Sequence, residues 1–271
     1  MIPEYLEYQA KVKNLSTRTV NEYRKDLKVF VSWAAAQQLR WSTLTKSDID
    51  RYVMSQHDAG MKPATIKKRI TAVRMLLQWA YREQILPENV AQYVQSPKNA
   101  VNLPTTAEVE QIDAYLSTPV TTERSARIHA LAAIILESGL RLTEALHLKW
   151  CDLEGGVRTI KVRGKGGKER ITFYGDRTQR ALAELEYKND LVFNFSSERE
   201  CRREMTEEMK QYIPGVHPHM LRHTFATALV NNGANLKDIS TLMGHAHTTT
   251  TEVYTRVAEK HLSKSYEQFQ P

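Results

Sequence analysis

HPHMLRHTFATALVNNGANLKDISTLMGHAHTTTTEVYTRV, His217–Val257, is the stretch from which the rest of the chain can be read. Pro218 suits the first turn of a helix. In that helix Leu221, Phe225, Ala228 and Leu229 make the expected buried face. His219 and Arg222, three apart, share another face. Gly233 ends the helix and Asn235 caps the next, whose inward residues are Leu236, Ile239, Leu242 and Met243. Gly244 closes that one, and His245 follows directly. Thr249 and Glu252 have capping-box spacing, which places Tyr254 in the early turns of a further helix. The alternation of helix and turn gathers a cation, two imidazoles and a phenol, a set suited to chemistry on a phosphate.

Upstream, Thr105 or Thr106 is expected to cap a helix through Leu116, and a second runs from Thr122 to Ser138. Gly139 stops it, as a left-handed cap residue does. Arg141 then sits at a helix–helix junction, with Thr143 read as the cap of the next helix. Two uses of Arg141 are open from the residues alone. It displays a guanidinium on a rigid support, or it is occupied by the preceding helix's carbonyls or by Glu144. Gly155 and Gly156 open a hairpin. Ile160 and Val162 alternate on one strand, Ile171 and Phe173 on the other, and Lys165 stands at the tip of the GKGGK turn. That turn lacks the spacing of a phosphate-binding loop. Residues 177–212 read as two more helices separated by LVFNF, a candidate small strand, with Ser196–Lys210 as charged surface.

Residues 1–100 carry helical periodicity and no strand signal. Val20, Tyr23, Leu27, Phe30, Val31 and Ala34 form one stripe, and Ile66, Ile70, Val73, Leu76, Leu77 and Ala80 another. Lys67, Lys68, Arg69 and Arg74 fall largely off the second stripe. These hundred residues hold 16 Lys/Arg against 9 Asp/Glu, a net of +7; the remaining 22 basic and 22 acidic residues cancel. A basic module joined to a neutral one suits a nucleic-acid partner, because phosphate contacts release counterions. Positive charge also serves solubility alone. The expected organisation is a helical domain over 1–95, a linker over 96–104 with two prolines, and a second domain over 105–271.

At 271 residues, two domains are favoured. No apolar run approaches the roughly 18 residues of a membrane span, and no signal-peptide segment opens the chain. A cytoplasmic location is expected, with no membrane partner. Cys151 and Cys201 are too few for a disulfide framework or a thiolate metal site. His217 and His219 flank a proline and match no helical ligand pair, so no metal is expected.

A phosphodiester under attack develops charge on its non-bridging oxygens, and arginine forks meet such oxygens bidentately. The leaving alkoxide needs a proton, and a tyrosine, with its ordinary pKa of about 10, needs a base or a positive field. Arg141, Lys165, His219, Arg222, His245 and Tyr254 supply these roles together.

The chain resembles the tyrosine recombinases, the phage-integrase and Xer-type site-specific enzymes. The likeness is carried by GLRLTEALHL around Arg141, VRGKGGKERI around Lys165, HPHMLRHTFAT around His219 and Arg222, LMGH at His245 and TTTTEVYTRV at Tyr254. The five stretches occur in the family's order. The resemblance implies a mainly α fold with a small β-hairpin or sheet in the catalytic domain. It also implies a two-domain DNA clamp, a helical SAM-like core-binding domain with an α+β catalytic domain. Tyr254 would form a 3′-phosphotyrosyl link, Arg141 and Arg222 would hold the non-bridging oxygens, and Lys165 would protonate the leaving 5′ oxygen. His219 would act as base or hydrogen-bond partner, His245 as a further phosphate ligand, and Glu144 as an orienting residue. Lys67, Lys68, Arg69 and Arg74 would face DNA. No cofactor is implied. The implied partners are a double-stranded recombination site and three further copies, in a homotetramer passing through a Holliday junction. A type IB topoisomerase shares this chemistry, and a DNA-binding regulator could share the fold without it.

Overall fold

The computed structural model describes residues 1–94, 105–163 and 169–244. The chain divides into two compact units, Met1–Val101 and Asn102–Pro271. The proposed linker, 96–104, lies outside the described residues.

The first unit is built from α1 (Ile2–Lys11), α2 (Thr17–Ala36), α3 (Lys46–Asp58) and α4 (Pro63–Arg82), followed by a 3₁₀ turn at Val90–Tyr93. Local chemistry sets the helix starts. The Ser16 hydroxyl accepts from the Thr19 N–H at 3.3 Å, Thr45 and Asp48 form a reciprocal capping box, and Pro63 occupies the first turn of α4. Asn14, between α1 and α2, takes a left-handed φ of 49°, which asparagine tolerates better than most residues. The apolar stripes meet in one core. Leu27 and Phe30 from α2, Tyr52 from α3, and Ile66, Ile70, Leu76 and Leu77 from α4 are fully buried there. Phe30 packs edge-on to Tyr52, with ring centroids 4.9 Å apart. Each such side chain contributes about 1.5–3 kcal/mol by leaving water.

The second unit contains α5 (Val109–Leu116), α6 (Glu123–Ser138) and α7 (Leu142–Leu146). A three-stranded antiparallel sheet follows, of β1 (Leu153–Glu154), β2 (Thr159–Arg163) and β3 (Glu169–Phe173). Then come α8 (Asp176–Ala183), α9 (Glu198–Met209), α10 (Pro218–Asn231) and α11 (Leu236–Met243). Helix α6 is the hub. It is buried on nearly every face, from Ile128 through Leu136, and α8, α10, α9, α5 and α7 pack around it. A helix apolar all round belongs in a core. It ends at Gly139, φ 64°, where a Cβ would lie 2.5 Å from the Phe225 ring of α10. Glycine there provides both the left-handed cap and the close approach of two helices.

Several sequence expectations need correction. Glu108, not Thr105 or Thr106, is the N-cap of α5, and Arg141, not Thr143, is the N-cap of α7. β1 carries no sequence signal at two residues long. LVFNF supplies only an isolated bridge from Leu191 to Lys149, with Val192 and Phe193 buried. Helix α9 is not all surface, since Cys201, Met205 and Met209 are buried on one side. On α10, Ala228 and Leu229 are only partly covered, and Met220, Arg222, Thr224 and Ala226 are buried beside Leu221 and Phe225.

The most consequential correction concerns β3. Ile160 and Val162 of β2 do face the core, but Ile171 and Phe173 are more than half exposed. Register explains this: Ile160 pairs with Thr172 and Val162 with Arg170, and directly paired residues share a face. The buried side of β3 is therefore polar. Thr172 donates to the Ser138 carbonyl at 2.8 Å, and Arg170 is about 11% exposed.

Candidate active site

Arg141 stands where α6 has ended and α7 begins. Its backbone N–H donates to Glu144 Oε2 at 2.7 Å and its Nη1 to Glu144 Oε1 at 2.9 Å, closing a ring across the start of α7. Its Nη2 donates to the Gly244 carbonyl at 2.8 Å. Of the two uses open from sequence, pairing with Glu144 is present. The carbonyl that ends α6 goes to a different arginine: Arg222 Nη1 donates to the Gly139 oxygen. Arg222 is 4% exposed, and its Nη2 donates to the Met243 carbonyl at 2.6 Å.

A third guanidinium completes the arrangement. Arg170 donates Nη1 and Nη2 to the two oxygens of Glu144 at 2.8 and 2.9 Å, and Nε to the Leu242 carbonyl at 2.9 Å. Three consecutive carbonyls at the end of α11, those of Leu242, Met243 and Gly244, thus each accept from a different arginine. The last carbonyls of a helix lack intrahelical partners and carry the negative end of its dipole. They are a natural anchor for cations brought from β3, α10 and the α6–α7 junction. Gly244 is in the left-handed region, φ 62°, and a Cβ there would come within 2.9 Å of Arg170 Nη1. Its lack of a side chain lets the helix end close on the guanidinium.

Glu144 lies at the centre, 7% exposed. Burial pushes its pKa up, but the Arg170 hydrogen bonds, the Arg141 N–H and both positive charges outweigh it. The result is a pKa of about 2.

His219 projects from the first turn of α10 and is solvent-accessible. Partial desolvation, then the fields of Arg202, Arg222, His217 and Arg141, hold its pKa below the ordinary 6.5. The lowered pKa favours the uncharged form, the one able to accept a proton. His223, one turn on, has its ring centroid 6.5 Å from that of His219. Burial, then His219, Arg222 and His217, push its pKa down to about 4. His217 is the N-cap, its Nδ1 accepting from the Met220 N–H at 3.0 Å. Lys165, His245 and Tyr254 lie outside the described residues. In sequence, Lys165 falls between β2 and β3, and His245 directly follows Gly244.

The four cations nominated on α4 divide. Lys67 and Arg74 are exposed and make no ion pair among the described residues. Lys68 instead pairs with Glu22 at 2.5 Å and Asp26 at 3.4 Å, and Arg69 is half-buried, donating to Gln56 Oε1 at 2.5 Å.

The sequence reading missed Arg170. Between Glu169 and Ile171 it looks like a solvated charge on a hairpin. The one available signal was the alternation itself, because a strand that exposes residues 171 and 173 buries 170 and 172.

The sequence model described as the Phage integrase family matches residues 105–261, and that of the Phage integrase N-terminal SAM-like domain matches residues 2–84. The chain belongs to the phage integrase family. This is the family of tyrosine recombinases, which cleave and rejoin DNA. Among curated members, tyrosine recombinase XerD of Proteus mirabilis is 29% identical over 290 residues, covering 100% of this chain and 93% of its own. XerD of Haemophilus influenzae is 31% identical over 278 residues, covering 96% and 94%. Solved tyrosine recombinases share the fold. The XerH recombinase bound to a palindromic difH substrate, in a post-cleavage complex, superimposes with a TM-score of 0.75 at 22% identity, covering 98% of this chain and 84% of its own. The lambda integrase (75–356) dimer bound to a COC′ core site gives 0.71 at 16% identity, covering 95% and 93%.

Among the described residues of this family member, no helix is long and apolar enough to cross a membrane. No group of three or more His, Cys, Asp or Glu side chains among them is placed to hold a metal ion.

Proposed function

We propose that this recombinase cuts and rejoins specific DNA sites through Tyr254, with Arg141, Lys165, His219, Arg222 and His245 as the catalytic set. The observation that carries the reading is the convergence of Arg141 and Arg222 on the adjacent carbonyls of Met243 and Gly244, one residue before His245. Two guanidiniums, Arg222 held by the Gly139 and Met243 carbonyls and Arg141 by the Gly244 carbonyl and Glu144, form a pre-set anion site, so little reorganisation is needed when a phosphate arrives.

The chemistry follows from this electrostatics. The Tyr254 oxygen attacks the scissile phosphorus, and its proton passes to neutral His219. The two guanidiniums and His245 take up charge on the non-bridging oxygens. The bond from phosphorus to the 5′ oxygen breaks, and Lys165 gives that oxygen its proton. A 5′-hydroxyl from a partner strand then reverses the steps, expelling the phenol. Because the ester keeps the energy of the broken bond, the scheme calls for no nucleotide or metal cofactor. Two rounds of exchange pass through a Holliday junction in a homotetramer on two duplexes. Domain 1–95, the linker 96–104 and domain 105–271 form the clamp, with Lys67 and Arg74 of α4 the cations best exposed for DNA. The reaction takes place in the cytoplasm.

The test is covalent capture. The wild-type chain, incubated with a pool of randomised duplexes and denatured, is expected to retain DNA, and Tyr254→Phe to retain none while still binding duplex. A wild-type chain that captures nothing, or a phenylalanine variant that captures as much, would overturn the reading. Sequencing the captured DNA identifies the site, and a plasmid bearing two copies of it should recombine rather than merely relax.

A further inference from the structure

Arg170 belongs to none of the roles above, yet it is the most fully engaged guanidinium around Glu144. Both of its terminal nitrogens bind the carboxylate at 2.8 and 2.9 Å, and its Nε binds the Leu242 carbonyl at 2.9 Å. It is about 11% exposed, against 35% for Arg141. Glu144 therefore accepts four N–H groups, two from Arg170 and two from Arg141.

Charge decides what this means. A lone Glu144–Arg141 pair would be neutral, and a phosphate approaching Arg141 would feel the carboxylate as much as the guanidinium. With Arg170 present the three groups sum to +1. The buried bidentate bond assigns the compensating charge to Arg170, and the more exposed guanidinium of Arg141 keeps its attraction for an anion.

We propose that Arg170 is a positioning residue for strand cleavage: it holds and charge-balances Glu144, so that Arg141 meets the scissile phosphate with its positive charge uncompensated. The inference rests on the recombinase reading above. It also gives the polar inner face of β3 a purpose. The strand that follows Lys165 in sequence anchors, through one side chain, both the carboxylate beside Arg141 and the helix end that leads to His245.

A residue that only stabilised the fold would behave differently in one respect. The part of Arg170's effect that comes from balancing Glu144 appears only while Glu144 is charged, whereas the bond to the Leu242 carbonyl is lost in either background. The experiment uses the full chain and a nicked duplex carrying the site captured by the wild-type protein. It measures single-turnover formation of the covalent adduct alongside duplex binding and thermal unfolding. Arg170→Gln should slow adduct formation by about 100-fold, the scale of losing one charge-stabilising donor, with duplex binding changed less than about 3-fold. Arg170→Lys, which keeps the charge and loses the fork, should fall between that variant and wild type. Glu144→Gln should cost less than Arg170→Gln, and in the Glu144→Gln background the further change Arg170→Gln should alter the rate by less than about 3-fold.

That last comparison stands even if Arg170→Gln alone fails to fold, since the double variant carries no uncompensated carboxylate. Equal rates for Arg170→Gln and wild type would overturn the proposal, as would a double variant slower than Glu144→Gln by the full single-variant loss. Failure of the parent reading looks different: wild type would form no adduct at all.

Discussion

The two units use their cations in opposite ways. On α4, Lys67, Lys68, Arg69 and Arg74 all come from one eight-residue stretch, and the two that are engaged reach only into their own unit, to Glu22 and Asp26 of α2 and Gln56 of α3. In the second unit, Arg141, Arg170 and Arg222 come from three elements and meet at one helix end. A dispersed, exposed set attracts any phosphate at long range and is weakened by salt. A convergent set, held by helix-end carbonyls and the Glu144 carboxylate, is pre-organised to meet one anion at one place. The contrast is one of association against chemistry, and it can be broken by substitution.

The largest effect should come from the most buried member. Arg222 spans the Gly139 and Met243 carbonyls, a reach that a lysine's single ammonium cannot reproduce. Arg222→Lys is therefore expected to slow adduct formation by about 10²–10³-fold and to lower stability by about 2 kcal/mol. A loss in adduct rate under about 3-fold would mean that convergence at α11 is a packing device with no part in cleavage.

Acid titration sharpens the comparison, because each unit holds one glutamate whose pKa is lowered to about 2. Glu22 is lowered by hydrogen bonds from Lys68 and Lys25 on an open surface, and Glu144 by Arg170 and Arg141 against the pull of burial. A depressed carboxylate stabilises the fold fully above its unfolded pKa, and that stabilisation is lost as pH falls from about 4.5 through about 2. For buried Glu144 the stake is on the order of 3 kcal/mol. Glu144→Gln should flatten that part of the stability curve, and added salt should barely change the difference. Glu22→Gln should matter little, and what effect it has should vanish in about 0.5 M salt. Equal salt sensitivity for the two variants would remove the distinction between an exposed and a buried cluster.

These particulars show why the sequence disclosed some of this and not the rest. Helix ends follow from single residues and their neighbours, so Thr122, Pro218, Gly139 and Gly244 marked them well. Stripe positions such as Ile66 and Leu77 followed from helical period. The inner face of β3 did not, because Ile171 and Phe173 are the apolar residues of that strand and yet face outward. Their orientation is fixed by register with β2, which is a pairing and not a local property. The same limit hid Arg170. Arg141 and Arg222 could be nominated from motifs, but the carbonyls that orient them lie 103 and 21 residues away along the chain. Only the folded chain brings them together.

The smallest expected effect tests the dispersed set itself. Lys67 and Arg74 are exposed without an ion-pair partner among the described residues, so each is available to displace a counterion from duplex DNA. Lys68 must first leave Glu22, and Arg69 must leave Gln56. Titrating non-specific duplex with the full chain over a series of salt concentrations gives the slope of log K against log[salt]. Lys67→Gln and Arg74→Gln should each reduce the magnitude of that slope by about 1. Lys68→Gln should change it by less than about half as much and cost about 0–1 kcal/mol of stability through its exposed pair. Slopes that fall equally for all four positions would mean the internal pairs open on binding at no cost, and the first unit's surface would then act as one undivided patch. Slopes that fall for none would place the duplex on another face of the unit.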